Sequence, residues 1–343
     1  MFLASFRKVG RSKLSSALVI LTVLLTTGLG ACDRKPSNQQ ATQSSSNPLK
    51  IALNIWPGYG AFLIAEEKNF FDAEGVKVKI EIIQGDPERE AALAAGKIDG
   101  IGMTIDNLVL LRNRGIDVKA IYKYDGSFGA DGIVAKPEIK QPSDLKGRRV
   151  AWAPGTTSHF FLTQVLKKAN LTTKGLDHAA MSSDDAGAAF AAGHLDAAVT
   201  WEPWLTKARE SGNGHVLIST RELPVVEDVL FVRADTIKNR PEDVRKMLRA
   251  CFKAVEYWKA HPKEGSEIIG KHLKLPIVDV DGMLGGIKIM SLEDNKQFFG
   301  SDGAIGPAFD AFQSASDAWI DEGLIKKKDA PESGIDPSFI RDL

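Results

Sequence analysis

Cysteine is scarce: Cys32 and Cys251 are the only two in 343 residues. That excludes a disulfide framework and any multi-cysteine metal site. Base is not in excess, since 44 Lys and Arg face 44 Asp and Glu, so the charge signature of a nucleic-acid binder is missing. No GxxxxGK[ST] loop occurs, so the chain does not hydrolyse ATP. The histidines, at 159, 178, 194, 215, 261 and 272, form no HExxH pair, and Gly-x-Ser-x-Gly is absent. Both absences argue against metal-dependent or serine hydrolysis, and no cofactor is expected. The apolar fraction of 43% and charged fraction of 26% exclude wholesale disorder, collagen and coiled coil.

Residues 14–31 carry no charge and are preceded by Arg7, Lys8, Arg11 and Lys13 with no acid among them. A basic segment followed by a short apolar one reads as a secretory signal peptide over residues 1–31; a membrane-spanning helix is the alternative, because ~18 apolar residues just span a bilayer. Leu29-Gly30-Ala31-Cys32 resembles the bacterial lipobox, in which the cysteine is freed and lipidated, so Cys32 is the expected lipidation site. Asp33, directly after it, resembles the inner-membrane retention signal of Gram-negative lipoproteins. Residues 32–48 are Ser-, Gln- and Asn-rich and form a flexible tether. Removing four bases and no acids leaves a mildly acidic exported chain. Cys251 sits in the apolar helical pattern MLRACFKAVEYW and reads as a small buried hydrophobe.

From Leu49 strands alternate with helices, which argues for parallel α/β sheet. The order strand, Pro-Gly break, helix, Ala-rich helix, strand occurs twice. Pro57-Gly58 matches Pro154-Gly155, and AALAAGKID at 91–99 matches AAFAAGHLD at 188–196. Both matches have an offset of 97 residues, as expected of two lobes of like topology; generic α/β periodicity is the competing explanation. Extended stretches over YKYDGSFGADGIVAK and VLISTRELPVVEDVLFVRAD would cross between the lobes. Helices after Thr236 would pack on them, and the tail from 327 would lie on the surface.

Ile55-Trp56-Pro57-Gly58-Tyr59, ALAAGKIDG, DLKGRRVA and AAVTWEPW, with the lipoprotein signal, resemble solute-binding proteins of bacterial ABC importers. The likeness is closest to the nitrate/taurine/sulfonate group. It implies an α/β protein of the type II periplasmic binding fold: two lobes, a two-crossing hinge and a ligand cleft between them. Lobe one is expected over 49–130 and 229–343, and lobe two over 131–228. The resemblance also implies a permease and an ATPase on other chains, a periplasmic monomer tethered to the inner membrane, and no catalysis. An enzyme on the same scaffold and an adhesin-like lipoprotein are the competing classes. The fungal thiamine pyrimidine synthase shares the fold but uses a cysteine-rich motif that two cysteines cannot supply.

Ligands sit beyond the carboxyl ends of strands in such sheets. The loops 54–60, 104–107, 125–131, 153–159 and 201–205 contain Asp106, Asp125, Asp131 and Glu202 and no Lys or Arg. That bias points to a cationic solute, guanidine- or amine-like, or to a zwitterion such as taurine. An anion (a sulfonate or nitrate) or a thiamine-precursor pyrimidine is the alternative. Glu202 between Trp201 and Trp204 would supply a counter-charge and aromatic faces, unless the two tryptophans are core and the carboxylate solvated. Trp56 and Tyr59 stand at the matching mouth of lobe one. Asp106 follows the matching strand, where an N-cap is equally expected. Thr156, Thr157 and His159 open a helix whose N–H groups could hold an anionic end; for His159 a surface or capping place competes.

Overall fold

The computed structural model describes residues 47–300 and 304–343. Cys32 and the signal segment lie outside the described residues. The described strands are β1 (Leu49–Leu53), β2 (Val78–Ile82), β3 (Gly100–Thr104), β4 (Val118–Ser127), β5 (Asp131–Ala135), β6 (Arg149–Trp152), β7 (Asp177–Ala180), β8 (Ala197–Trp201), β9 (His215–Ser219), β10 (Glu227–Arg233) and β11 (Ile287–Ile289).

They form two sheets. One has the order β11-β4-β10-β3-β1-β2 and the other β7-β6-β8-β5-β9. In each, three strands run parallel (β2, β1, β3 and β7, β6, β8), and the next is an antiparallel strand that has crossed over from the other sheet, β10 or β5. This is the type II periplasmic binding architecture. The inner parallel strands of the first sheet are buried because helices cover both faces: every residue of β3 is buried, and all of β1 except Lys50, whereas the edge strands β2 and β7 carry polar, exposed residues.

The 97-residue offset holds at the level of elements. Helix Asp86–Ala94 corresponds to Ser183–Ala191, and β3 to β8. Each helix is followed by a glycine at positive φ, Gly96 at 66° and Gly193 at 82°, a conformation that Gly adopts without steric cost. The chain passes between sheets at 127–131 and 219–227. These crossings are tied together: Ser127 Oγ and Thr220 Oγ1 are 2.7 Å apart, and the Gly129 amide donates to Thr220 Oγ1 at 2.8 Å.

One core lies in the first sheet and its helices, and the second sheet has a core on each face. Cys251 is fully buried in helix Pro241–Ala260. The helix Pro307–Asp321 bridges both halves: Trp319 Nε1 donates to the Asp106 carbonyl at 2.9 Å, while its ring lies against His159 and Phe160. The C-terminal tail departs from the expected surface position. Ile335, Phe339 and Ile340 are buried, and Ile335 forms a parallel bridge to Ala120 of β4. Three apolar side chains spaced by polar residues escape a periodicity test yet still find the uncovered end of the core. Among the described residues no helix is long and apolar enough to cross a membrane.

Candidate ligand site between the two sheets

The carboxyl ends of β1, β3 and β8 face one another across a small inner chamber of about 40 Å³, room for roughly three or four waters. Trp56, Tyr59 and Thr104 enter it from the first sheet, and Asp131, Thr157 and Trp201 from the second. The halves touch here. Thr104 Oγ1 and Thr157 Oγ1 are 2.6 Å apart, and Asn107 Nδ2 donates to both, at 2.8 and 3.3 Å. The Trp56 and Trp201 indoles lie with ring centroids 6.2 Å apart and planes at 22°.

Carboxyls surround the chamber. Asp228 on β10 accepts from the Tyr59 hydroxyl at 2.6 Å, and Asp125 on β4 accepts from Trp56 Nε1 at 3.2 Å. Burial pushes Asp131 up to about 6 and Asp228 to about 7, because desolvation penalises their charged forms. Asp125 is raised well above the ordinary carboxyl range for the same reason, and Asp228 adds repulsion. Asp106 is raised to about 7 by burial, and its Oδ2 has no hydrogen-bond partner among the described residues.

One base reaches the chamber. Arg89, on helix Asp86–Ala94, is only 2% exposed, lines the space and is ion-paired with Asp86, which also lines it. Its Nε has no hydrogen-bond partner among the described residues. A buried guanidinium with an unused N–H is a donor available to an oxyanion. Arg89 lies outside the strand-end loops, on the first turn of a helix. The available signal was helical: Arg89 and the fully buried Leu93 are four residues apart and so share one face. An arginine on a core-facing stripe must have a partner there.

Outside the inner chamber lies a larger space of about 320 Å³, which shares Asn54, Trp56 and Trp201 with it. Trp204 and Glu202 belong to this outer space. The acid that joins the two tryptophans is Asp184, whose Oδ1 accepts from Trp201 Nε1 at 2.7 Å and from Trp204 Nε1 at 2.9 Å. Glu202 instead serves its own helix, accepting from the Thr206 amide at 3.0 Å and the Thr206 hydroxyl at 2.9 Å. Glu202→Gln should therefore cost about 0.5–2 kcal/mol of stability, as a lost helix cap does, with little loss of ligand affinity. Thermal unfolding and calorimetric titration of the variant check this; abolished binding at unchanged stability would return Glu202 to the ligand.

Of the residues singled out in the sequence, Trp56, Tyr59, Thr157 and Trp201 line the inner chamber. Asp106, Thr156 and His159 line neither space. Thr156 Oγ1 donates to the Ala153 carbonyl at 2.8 Å. His159 is turned into the core: Nδ1 accepts from the Gly155 amide at 3.1 Å, and Nε2 lies 3.3 Å from Glu322. Burial holds its pKa below the usual value despite Glu322, and the ring ties helix Thr157–Lys168 to the end of helix Pro307–Asp321. Among the described residues no group of three or more His, Cys, Asp or Glu side chains is placed to hold a metal ion.

Known proteins resemble this chain in sequence, and solved structures resemble it in fold. A Bacillus subtilis (strain 168) protein named for binding aliphatic sulfonates is 24% identical over 331 residues, covering 94% of this chain and 95% of that one. The taurine-binding periplasmic protein of Escherichia coli (strain K12) is 23% identical over 257 residues, covering 72% of this chain and 76% of its own. Among solved structures, the periplasmic aliphatic sulphonate binding protein SsuA from Escherichia coli superposes with a TM-score of 0.71 at 20% identity. It covers 85% of this chain and 93% of its own, which shows the shared fold. The family described as NMT1/THI5 like matches residues 56–265, more than half of the chain. The chain belongs to the NMT1/THI5 like family.

Proposed function

We propose that this protein, as the solute-binding component of an ABC importer, captures a small organosulfonate in the inner chamber. The observation that carries the reading is Arg89, buried to 2% exposure on the chamber wall with an unpartnered Nε. Two relatives named for sulfonates and taurine support the same head group. The expectation of a cation rested on a cleft without bases, and Arg89 removes that premise. Thr104, Asn107 and Thr157 add neutral donors. Asp131 and Asp228, raised to about 6 and about 7, lose much of their charge at mildly acidic pH and then donate through O–H.

One observation favours a second reading. Asp86, Asp131 and Asp228 line the chamber against Arg89 as its one lining base, an excess of acid that suits a guanidinium, an amine or the ammonium end of taurine. Calorimetric titration with ethanesulfonate, taurine, guanidine and ethylamine separates the two. The sulfonate reading expects 1:1 binding of the first two without turnover. Binding of guanidine and ethylamine with no response to ethanesulfonate refutes it, and chemical conversion of a bound solute would favour an enzyme.

Capture needs an entry path, and the Thr104–Thr157 and Trp56–Trp201 contacts close the chamber. We read the paired crossings as a hinge that opens these contacts. The radius of gyration from small-angle scattering should therefore fall on saturation with ligand, and an unchanged value would refute the hinge.

Anchoring is proposed from sequence alone, since Cys32 lies outside the described residues. A lipid on Cys32 would tether the chain to the inner membrane on its periplasmic face, beside a permease and ATPase from other chains. Cys32→Ser should shift the protein from the membrane fraction to the soluble periplasmic fraction. Retention in the membrane with unaltered precursor processing would contradict lipidation.

A further inference from the structure

The helix Pro307–Asp321 belongs to the first half, since its Phe312 and Trp319 sit in that half's core. Its carboxyl end nevertheless grips the second half. Glu322, directly after it, accepts from the Thr173 hydroxyl through both carboxylate oxygens, at 2.7 and 3.0 Å, and lies 3.3 Å from His159 Nε2. A carboxylate at the carboxyl end of a helix opposes the helix dipole, so partners in the other half are what hold it there. The Ser314 hydroxyl donates to Gln164 Oε1 at 3.4 Å. Phe160 lies against Trp319 in the core of the first half, whereas Phe161, Leu162 and Val165 of the same helix fill the core of the second. Neither Glu322, Thr173, Trp319 nor Phe160 lines the inner chamber.

We propose that this grip is a clasp on the closed state, and that Glu322 is a positioning residue that sets solute affinity without touching the solute. The proposal rests on the hinge reading and is independent of which head group binds. Geometry ties the clasp to the chamber. Thr104 and Thr157, whose hydroxyls meet across the chamber, stand at the starts of helices Ile105–Asn113 and Thr157–Lys168. Trp319 bridges the same two helix starts from outside the chamber. Its Nε1 donates to the Asp106 carbonyl on one, and its ring lies against His159 and Phe160 on the other. Parting Thr104 from Thr157 then draws Phe160 away from Trp319 and Thr173 away from Glu322. The first change exposes apolar surface, and the second leaves a carboxylate at a helix end without its donor, so both oppose opening. Where only the closed form binds, apparent affinity is reduced by the fraction of free protein that is closed. A residue that acts on closure alone therefore acts alike on every solute.

The test compares Glu322→Ala and Thr173→Val with wild type in two measurements. One is calorimetric titration with ethanesulfonate, taurine, guanidine and ethylamine; the other is small-angle scattering of the free and saturated protein. Losing a hydrogen bond to a partly exposed carboxylate should weaken closure about 5- to 30-fold. If free wild type is largely open, every solute that binds it should bind both variants more weakly by one common factor. If it is largely closed, the free variants should show a larger radius of gyration than free wild type and contract on saturation. Glu322→Gln keeps an acceptor for the Thr173 hydroxyl and should restore most of what Glu322→Ala loses, which separates the clasp from a general loss of packing. Free radii that agree, with no common loss of affinity, overturn the clasp; so does tighter binding, or a factor that differs from solute to solute. Wild type that contracts on saturation beside such unaltered variants leaves the hinge standing. Wild type that does not contract, beside free variants that expand, refutes the ligand-driven hinge and supports the clasp.

Discussion

Arg89→Gln should lower sulfonate affinity by about 30-fold to several thousand-fold, the ~2–5 kcal/mol that follows truncation of one partner of a buried charge pair. Because Arg89 is buried and ion-paired with Asp86, the substitution also leaves that carboxyl without its counter-charge. Thermal unfolding of the variant is therefore needed beside the titration. Asp86→Asn separates the effects: it leaves the guanidinium in place, removes a competing anion and should hold or tighten sulfonate binding. Arg89→Lys keeps the charge but not the planar fork and should fall between wild type and Gln. If Arg89→Gln folds and binds ethanesulfonate as wild type does, the arginine is not the anion partner.

The second large effect is the sign of the pH dependence. Asp131 and Asp228 titrate near about 6 and about 7 because burial disfavours their charged forms. A sulfonate beside them favours the protonated state and raises both values further, so binding takes up protons at pH above the free values. Affinity should then be steady at the acidic end and fall as pH rises from about 6 to 8, by up to tenfold per pH unit for each coupled carboxyl. A cationic solute lowers the same values and reverses the slope, gaining affinity up to about pH 7 and levelling off above it. Dissociation constants for ethanesulfonate at pH 5.5, 6.5, 7.5 and 8.5 give the sign directly. A constant above pH 7.5 tighter than that at pH 5.5 would show that these carboxyls face a positive group.

Much of the fold was legible because it follows from local rules repeated twice. The break at Pro57-Gly58 and its match at Pro154-Gly155, the Ala-rich helices and the strands after them recur at a fixed spacing, and the observed elements keep it from Asp86–Ala94 to Ser183–Ala191. The site was less legible. Trp56, Tyr59, Thr157 and Trp201 stand at strand ends or just beyond them, where topology alone places a ligand. Arg89 and Asp228 reach the same chamber from a helix face and from a strand that crosses over from the other sheet; the helical spacing with Leu93 hints at Arg89, and nothing local hints at Asp228. Glu202 is engaged locally. A carboxylate four residues before Thr206 in a helix-opening turn closes onto that residue's amide and hydroxyl, and such short-range bonds form at little entropic cost. Asp184, on the neighbouring helix, is the acid that holds both indoles.

The crystal structure of the protein saturated with ethanesulfonate tests the central claim most directly. Sulfonate oxygens should lie within about 3 Å of the Arg89 guanidinium nitrogens. A sulfonate bound elsewhere on the surface, with Arg89 still engaged by Asp86 and the Ile83 carbonyl, would contradict it.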